Sequence, residues 1–135
     1  MTTALEIVSP EKLLLSRPVE MVVIPAFEGE MGVLPGHAPM IVLLRGGTIR
    51  LYENGQVTGE FFVGGGFAEV TPERCTVLAT EAIPLAEVSR GEGERRLAAA
   101  EHAWEHVDKD DVAARDAALA RLQSAHAMIE VAGVA

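Results

Sequence analysis

Apolar and polar residues alternate along the N-terminal part of the chain in short runs that turn-forming residues interrupt. In the run over residues 48–53, Ile49 and Leu51 share one face, and Asn54-Gly55 follows, a two-residue signal typical of a β-hairpin. Similar runs cover residues 5–8, 12–16, 19–24, 57–63, 67–71 and 75–80. Turn signals recur about every 8 to 12 residues, the spacing expected of an antiparallel sandwich or barrel.

The periodicity changes near residue 85, where alanine becomes frequent and apolar residues recur at helical spacing. The first series is Leu97, Ala100 and Trp104, and the second is Val112, Leu119, Leu122 and Ile129. The chain is therefore predicted to be mostly β with an α-helical part. An antiparallel β-sandwich over residues 1–84 precedes a two-helix antiparallel hairpin over residues 85–135.

Two details of this hairpin are predicted from residue preferences. Asp108 is the expected N-cap of the second helix, with Asp111 three residues further on. Gly91 and Gly93 each cost a helix about 1 kcal/mol relative to alanine. The first helix is therefore expected to be irregular before Glu94.

Residues 29–39 read Gly-Glu-Met-Gly-Val-Leu-Pro-Gly-His-Ala-Pro, a string that restricts the backbone strongly. Glycine permits positive φ, proline fixes φ, and a residue before proline avoids the α region. The string predicts a rigid loop between the apolar runs 22–24 and 40–44, with His37 at its tip. A fixed loop on a packed scaffold is suited to presenting a contact surface.

Charge and composition exclude several classes of function. The net charge of −9 argues against binding to nucleic acids or to anionic membrane surfaces, since both attract basic clusters. Apolar runs are far shorter than the roughly 20 residues that span a bilayer. The first residues lack the basic segment with which a secretory signal begins, so no such signal is predicted. The single cysteine, Cys75, excludes an internal disulfide and is typical of a reducing cytosol.

The chain carries no recognisable catalytic or cofactor motif. Gly64-Gly65-Gly66 is interpreted as a tight corner between strands, because no lysine follows it to bind phosphate. His37 is the best acid–base candidate, but the sequence does not show whether Glu28, Glu30 or Cys75 converges on it. A histidine that locks the turn or touches a partner is the preferred interpretation. Cys75 is expected in the core.

The three remaining histidines, His102, His106 and His126, are expected to be solvated and without metal spacing. No metal, no cofactor and no enzymatic activity are predicted.

The chain resembles the epsilon subunit family of bacterial F-type ATP synthases in three features. These are residues 28–39, residues 64–70 (Gly-Gly-Gly-Phe-Ala-Glu-Val) and the two-helix tail. Residues 5–11 and 76–83 fit the same family. The resemblance implies a ten-stranded sandwich with a helical hairpin, and a non-catalytic subunit at the foot of the central stalk. It implies binding to the gamma subunit and the c-ring, coupling of proton flow to ATP synthesis, and a peripheral location on the cytoplasmic face of the bacterial inner membrane.

The same resemblance implies roles for particular residues. Glu30, Met31, His37 and Pro39 fall on the surface that faces the c-ring and gamma. A carboxylate can pair with basic c-ring loops, and an imidazole can hydrogen-bond a partner's backbone. On the second helix, Arg115 and Arg121 are the implied regulatory residues. Through them the hairpin would contact the alpha and beta subunits and inhibit ATP hydrolysis.

Two departures from the family change what is expected here. Some members bind ATP through an Ile/Leu-Asp-x-x-Arg-Ala pattern, but residues 88–93 read Val-Ser-Arg-Gly-Glu-Gly, so no ATP binding is predicted. The tail from residue 85 onward holds six basic and ten acidic residues, a net charge of −4. Weak or absent inhibition by the tail is therefore predicted.

Two alternative functions compete with a stalk subunit. One is a small β-sandwich binding module whose 29–39 loop holds a sugar or peptide, although an aromatic content of 4% disfavours a carbohydrate platform. The other is a small hydrolase using His37, which lacks a visible nucleophile. Co-purification with a gamma subunit would support the stalk subunit and disfavour both alternatives.

Overall fold

A computed structural model describes residues 1–132, over which the chain forms ten β-strands, a short 3-10 helix and two α-helices. The strands are β1 (Thr3–Val8), β2 (Leu13–Val19), β3 (Met21–Ala26), β4 (Gly29–Val33), β5 (Met40–Leu44), β6 (Gly47–Glu53), β7 (Gln56–Val63), β8 (Gly66–Val70), β9 (Arg74–Ala79) and β10 (Ala82–Pro84). The 3-10 helix covers Leu85–Glu87, α1 covers Arg90–His106 and α2 covers Val112–Ala132. The predicted order of a β part followed by two helices is confirmed.

The ten strands are hydrogen-bonded in the order β10-β7-β6-β3-β5-β8-β9-β1-β2, with β4 paired to β3. Strands β3 and β5 share one regular pair, Ala26 with Leu44, so the sheet folds there into two layers. Arg17 on β2 reaches across to Glu53 at 3.4 Å, which brings the far end of the sheet back towards β6. The result is a barrel-like sandwich.

The predicted purely antiparallel sheet is wrong at one pair. Strands β1 and β9 run parallel, with Leu5 opposite Cys75 and Ile7 opposite Val77. Parallel neighbours require a long connection, and here seven intervening strands supply it. The sheet is therefore mixed, and local alternation carries no information about this long-range pairing.

The core lies between the two layers and consists of large apolar side chains. On β1, Leu5 and Ile7 are fully buried while Ala4 and Glu6 alternate outward. Other fully buried members are Val22, Ile24, Val33, Ile49, Leu51, Cys75 and Val77. The predicted core position of Cys75 is confirmed, and burial raises the pKa of its thiol to about 11.

The predicted turns at the two glycine signals are confirmed. Asn54 and Gly55 have φ of 54° and 73° and join β6 to β7 as a two-residue hairpin. At the 64–66 corner, Gly66 has φ of 128°, and an added Cβ would lie 2.1 Å from the Leu78 carbonyl oxygen. Only glycine fits this corner.

The predicted loop over residues 29–39 is partly wrong, because residues 29–33 form β4. Backbone pairing with β3 sets Glu30 opposite Pro25 and Met31 opposite Ile24. The loop proper covers residues 34–39, where the prolines and Gly36 lie. The strand was missed because glycines at 29 and 32 disfavour strands in isolation, and pairing with β3 overrides that preference.

The N-termini of the two helices differ from the predictions. Helix α1 is regular from Arg90, where the Ser89 hydroxyl accepts a hydrogen bond from the Glu92 amide at 3.2 Å. Asp111 rather than Asp108 caps α2, accepting from the Ala114 amide at 3.1 Å. Asp108 instead accepts from the Asp110 amide at 2.9 Å, closing a local turn that competes with helix formation.

The two helices pack through small residues, and Ala100 is the one residue of the predicted stripe that is buried. Leu97, Trp104, Leu122 and Ile129 are half-buried. The buried helix positions are Gly93 and Ala100 on α1, and Ala118, Ala125 and Met128 on α2. Val112 and Leu119 are exposed. An added Cβ on Gly93 would lie 2.8 Å from Ile129 Cγ1, so Gly93 allows the two helices to approach closely. From the sequence, this glycine was expected only to make the helix irregular.

Polar groups join the hairpin to the sandwich. The Gln123 side-chain amide accepts from the Gly46 N–H and donates to the Gly46 carbonyl, both at 2.7 Å. Arg96 on α1 forms a two-bond ion pair with Glu81, whose second bond measures 3.1 Å. Phe62 is fully buried outside the core cluster, because alternation places it on the outer face of β7, next to the 3-10 helix.

Candidate functional site

Four large apolar side chains lie exposed together on the outer face of the sandwich and are called here the apolar patch: Phe27, Ile41, Leu43 and Phe67. Their exposed fractions are 62%, 72%, 60% and 43%. Leu43 lies opposite Phe67 in the β5–β8 pair, and the Phe27 amide donates to the Leu43 carbonyl at 2.8 Å. Backbone pairing therefore holds the patch together.

The local sequence explains why β5 is apolar on both sides. Val42 and Leu44 point into the core, so alternation sends Ile41 and Leu43 outward. A strand that is apolar at five successive positions, Met40 to Leu44, is typical of burial on both faces. In this structure, however, most of the Ile41 and Leu43 side chains stays exposed.

The apolar patch continues towards the hairpin. A cleft of about 920 Å³ separates the sandwich from α2, and Phe27, Leu43 and Phe67 line one wall while Leu119 and Gln123 line the other. Leu119 is 44% exposed. Both parts of the molecule therefore contribute apolar surface to one side.

His37 lies on the 34–39 loop at the start of β5 and is half-buried. Its Nδ1 lies 2.8 Å from the Ala38 carbonyl oxygen. Because a carbonyl only accepts, Nδ1 donates, and Nε2 is the acceptor of the neutral ring. The Gly36 amide donates to the Pro72 carbonyl at 2.8 Å, which ties the loop to the β8–β9 turn. Pro39 is exposed beside it.

Glu30 lies on β4, apart from the histidine loop. Its Oε2 accepts from Arg50 Nη2 at 2.6 Å, and its side chain is 58% exposed. Burial lowers the pKa of Arg50, but hydrogen bonds to Tyr52 and Glu30 outweigh this and raise it on balance. Met31 points the other way and packs against the core.

The structure thus separates the four residues implied by the family resemblance. His37 and Pro39 share the loop, whereas Glu30 has a partner in the sheet and Met31 contributes to packing. Glu30 precedes the end of β4 by three residues, about 10 Å along the strand. The polar groups therefore form two contact points rather than one cluster.

The two arginines implied for regulation also have separate surroundings. Arg115 Nε lies 3.6 Å from Asp116 Oδ1. Arg121 lines a cleft of about 350 Å³ between hairpin and sandwich, together with Glu81 and Arg96. Six residues of helix rotate these two side chains by about 240°, so they do not form one basic surface.

The start of α1 is occupied by an ion-pair cluster. Glu92 accepts from Arg95 Nη2 at 2.7 Å and from Arg96 Nε at 3.0 Å. Its pKa is lowered, first by the hydrogen bond from Arg95 and then by that from Arg96. Arg96 is further bound to Glu81. The charged groups around residues 88–93 therefore satisfy one another.

Sequence analysis missed the apolar patch and the Gln123 contact. The signal for the first was the unbroken apolar run at residues 40–44, which alternation does not explain. No local signal marks Gln123, because its partner Gly46 is distant in sequence. Within the described residues 1–132, no group of three potential metal ligands converges, and neither helix is long and apolar enough to cross a membrane.

Comparisons with known proteins agree with this geometry. The family described as "ATP synthase, Delta/Epsilon chain, beta-sandwich domain" matches residues 2–85. The chain is 69% identical over 130 residues to the ATP synthase epsilon chain of Granulibacter bethesdensis, covering 96% of each protein. It is 47% identical over 133 residues to that of Gluconacetobacter diazotrophicus, covering 98% of this chain and 94% of the relative.

Two solved assemblies contain chains of similar fold. A chain of the Euglena gracilis mitochondrial ATP synthase OSCP/F1/c-ring structure aligns with a TM-score of 0.72 at 25% identity, covering 94% of this chain and 79% of that one. A chain of the Tetrahymena thermophila mitochondrial ATP synthase central stalk and c-ring structure aligns with a TM-score of 0.70 at 15% identity, covering 98% and 97%. The second likeness concerns the fold alone.

Proposed function

This chain belongs to the family of ATP synthase epsilon chains, and from this we propose its function. The protein is a non-catalytic subunit of the central stalk of a proton-translocating ATP synthase. It couples proton flow through the c-ring to rotation and ATP synthesis. It is part of a membrane-associated complex, on the cytoplasmic face of the bacterial plasma membrane and without inserting into it.

The apolar patch is the observation that carries this proposal. Phe27, Ile41, Leu43 and Phe67 are held side by side by β5 and β8 with large exposed fractions. Contiguous exposed apolar surface on a soluble protein marks an interaction site. Burying it against an apolar face of the gamma subunit would contribute about 25 cal/mol for each Å² removed from water.

Glu30 and His37 would add specificity at two points outside the patch. Glu30 is exposed and already beside Arg50, so a basic c-ring loop would complete a charge cluster there. His37 presents Nε2, because Nδ1 is used within the loop, so it can accept a hydrogen bond from a partner N–H. Met31 would support the strand from inside, and Pro39 would keep the loop in shape.

Residues 1–84 are assigned to the docking body and residues 85–135 to a hairpin with a secondary role, of which residues 133–135 lie outside the described part. Arg115 and Arg121 lie on different faces of α2, and a net charge of −4 over this segment opposes binding to an acidic segment of the beta subunit. Deleting residues 86–135 is expected to raise ATPase activity of the assembled enzyme less than about twofold.

ATP binding by the chain itself is not part of the proposed function. Ser89 caps α1, and the Glu92 carboxylate accepts hydrogen bonds from Arg95 and Arg96. A nucleotide phosphate would therefore meet a carboxylate here instead of a free arginine. Calorimetric titration of the full chain with ATP is expected to give no heat of binding at millimolar ligand.

The central test compares two leucines of similar exposure. Leu43→Asp places a charge in the apolar patch, whereas Leu13→Asp does so on β2, where Leu13 is 55% exposed. Binding to purified gamma subunit, measured by surface plasmon resonance, should weaken at least about a hundredfold for Leu43→Asp and less than about threefold for Leu13→Asp. Both variants should keep the melting temperature of the parent.

Equal weakening by both variants, or none by Leu43→Asp, would exclude the patch as the docking surface. If the parent protein itself failed to bind gamma but bound a sugar or peptide through residues 34–39, the binding-module alternative would replace the proposal.

A further inference from the structure

Two histidines lie in contact at the C-terminal end of α1. The rings of His102 and His106 have centroids 4.2 Å apart and planes tilted by 35°, because residues four apart share a helix face. The expectation that the helix histidines lack metal spacing stays a prediction, but this pair is close enough to be considered as two ligands of one ion. With Glu105 between them, the segment has the His-x-x-Glu-His pattern found in one class of helical zinc site.

A backbone carbonyl favours the tautomer of His106 that can bind a metal ion. His106 Nδ1 lies 2.8 Å from the His102 carbonyl oxygen, and since the oxygen only accepts, Nδ1 carries the hydrogen. In the neutral ring the lone pair is then on Nε2. Histidines that bind metals commonly donate their other N–H to a carbonyl in this way.

The surroundings favour a cation at this end of the helix. His106 is the last residue of α1, where the unpaired carbonyls give the helix end a partial negative charge. The nearby ammonium of Lys109 binds the Trp104 carbonyl and lies 4.5 Å over the indole ring. Two residues of helix place Trp104 about 200° from either histidine, so this positive charge is held on another face.

We propose that His102 and His106 together chelate a divalent transition-metal ion of the kind that imidazole prefers, such as Ni²⁺, Cu²⁺ or Zn²⁺. Both side chains are exposed, and within residues 1–132 no third protein ligand joins them, so water fills the remaining coordination positions. The site binds metal at the surface and carries no catalysis. It lies at the C-terminal end of α1, before the turn into α2, and is independent of the proposed stalk function.

The chain contains its own controls for a test with nickel. In proton NMR spectra of the full chain at pH 7.5, substoichiometric Ni²⁺, which is paramagnetic, should broaden the ring signals of His102 and His106. The signals of His37 and His126 should stay sharp at the same ratio. Equal broadening of all four histidines would overturn the proposal.

Variants separate chelation by two rings from binding by one. His102→Ala and His106→Ala should each raise the Ni²⁺ dissociation constant, measured by calorimetry, at least about tenfold, whereas His126→Ala, an exposed control on α2, should leave it unchanged. Circular dichroism should show the parent helix content in all three variants. An unchanged affinity in His102→Ala or His106→Ala, or an equal loss in His126→Ala, would contradict a two-histidine site.

Discussion

The sandwich and the hairpin are held together by different kinds of residue. Inside the sandwich, fully buried positions are large and branched, for example Ile24, Ile49 and Leu51. Inside the hairpin, buried positions are mostly glycine and alanine, with Met128 as the one large side chain among the buried helix residues of the described chain. Full burial of a large aliphatic side chain contributes about 1.5–3 kcal/mol, against about 0.8 kcal/mol for one methylene.

The same contrast holds where the two regions meet. The Gln123 amide and the Arg96–Glu81 ion pair connect hairpin to sandwich, and a cleft of about 920 Å³ remains beside them. Polar contacts contribute about 0.5–1.5 kcal/mol each, since water competes for the same groups. We therefore expect the sandwich to stay folded when the hairpin detaches, and four pairs of substitutions compare the two regions.

The largest effect is expected in the sandwich core. Ile49→Ala should lower the free energy of unfolding by about 2–5 kcal/mol, because Ile49 is fully buried and its surroundings relax only partly into the cavity. Urea denaturation measures this loss. Ile41→Ala is the matched control and should change stability by less than about 0.5 kcal/mol, since Ile41 is 72% exposed. A similar loss for both would show that the apolar patch is structural.

The next effect concerns the hairpin attachment. Gln123→Leu removes the hydrogen bonds to the Gly46 N–H and carbonyl. It should weaken the attachment of the hairpin to the sandwich by about 1–3 kcal/mol, the cost of unsatisfied buried polar groups. Hydrogen exchange should then speed up across α1 and α2 while β1 and β9 stay protected. Gln56→Leu, at an exposed hairpin turn, should change neither. Loss of protection throughout the sandwich would show that the two regions unfold together.

Two glycines of α1 should respond in opposite directions. Gly93→Ala gains helix propensity but pushes a methyl against Ile129, 2.8 Å away, for a net loss of about 1–2 kcal/mol in hairpin stability. Gly91→Ala has no neighbour closer than 3.7 Å and should stabilise α1 by up to about 1 kcal/mol. Hydrogen exchange of α1 reports both, and stabilisation by both substitutions would refute close packing at Gly93.

The smallest effect is a pH dependence at the start of α1. The pKa of Glu92 is lowered in the folded protein by Arg95 and Arg96, so its contribution is present above the unfolded pKa and disappears as pH falls through the folded pKa. Glu92→Gln should therefore lower the melting temperature slightly at neutral pH and not at all in strong acid. Glu101→Gln, an exposed control on α1, should give no pH-dependent difference; an effect of Glu92→Gln that persists in acid would contradict the linkage.

Local signals predicted much of this molecule correctly. The strand-and-turn pattern, the Asn54-Gly55 hairpin and the buried Cys75 follow from alternation and turn chemistry. The family resemblance also follows from contiguous residues. Two of the predictions that were wrong, the loop at residues 29–33 and the cap at Asp108, concern positions where two local preferences compete and a distant contact or the neighbouring aspartate decides.

The order of elements and the family could be predicted from the amino-acid sequence, because side-chain period and turn residues act over a few neighbours. Only the folded chain shows that β1 pairs with β9 in parallel, that Gly93 packs against Ile129, and that Gln123 binds Gly46. It also decided that Ile41 and Leu43 stay exposed beside Phe27 and Phe67. The physical reason is that pairing and burial depend on residues far apart in the chain, about which local periodicity carries no information.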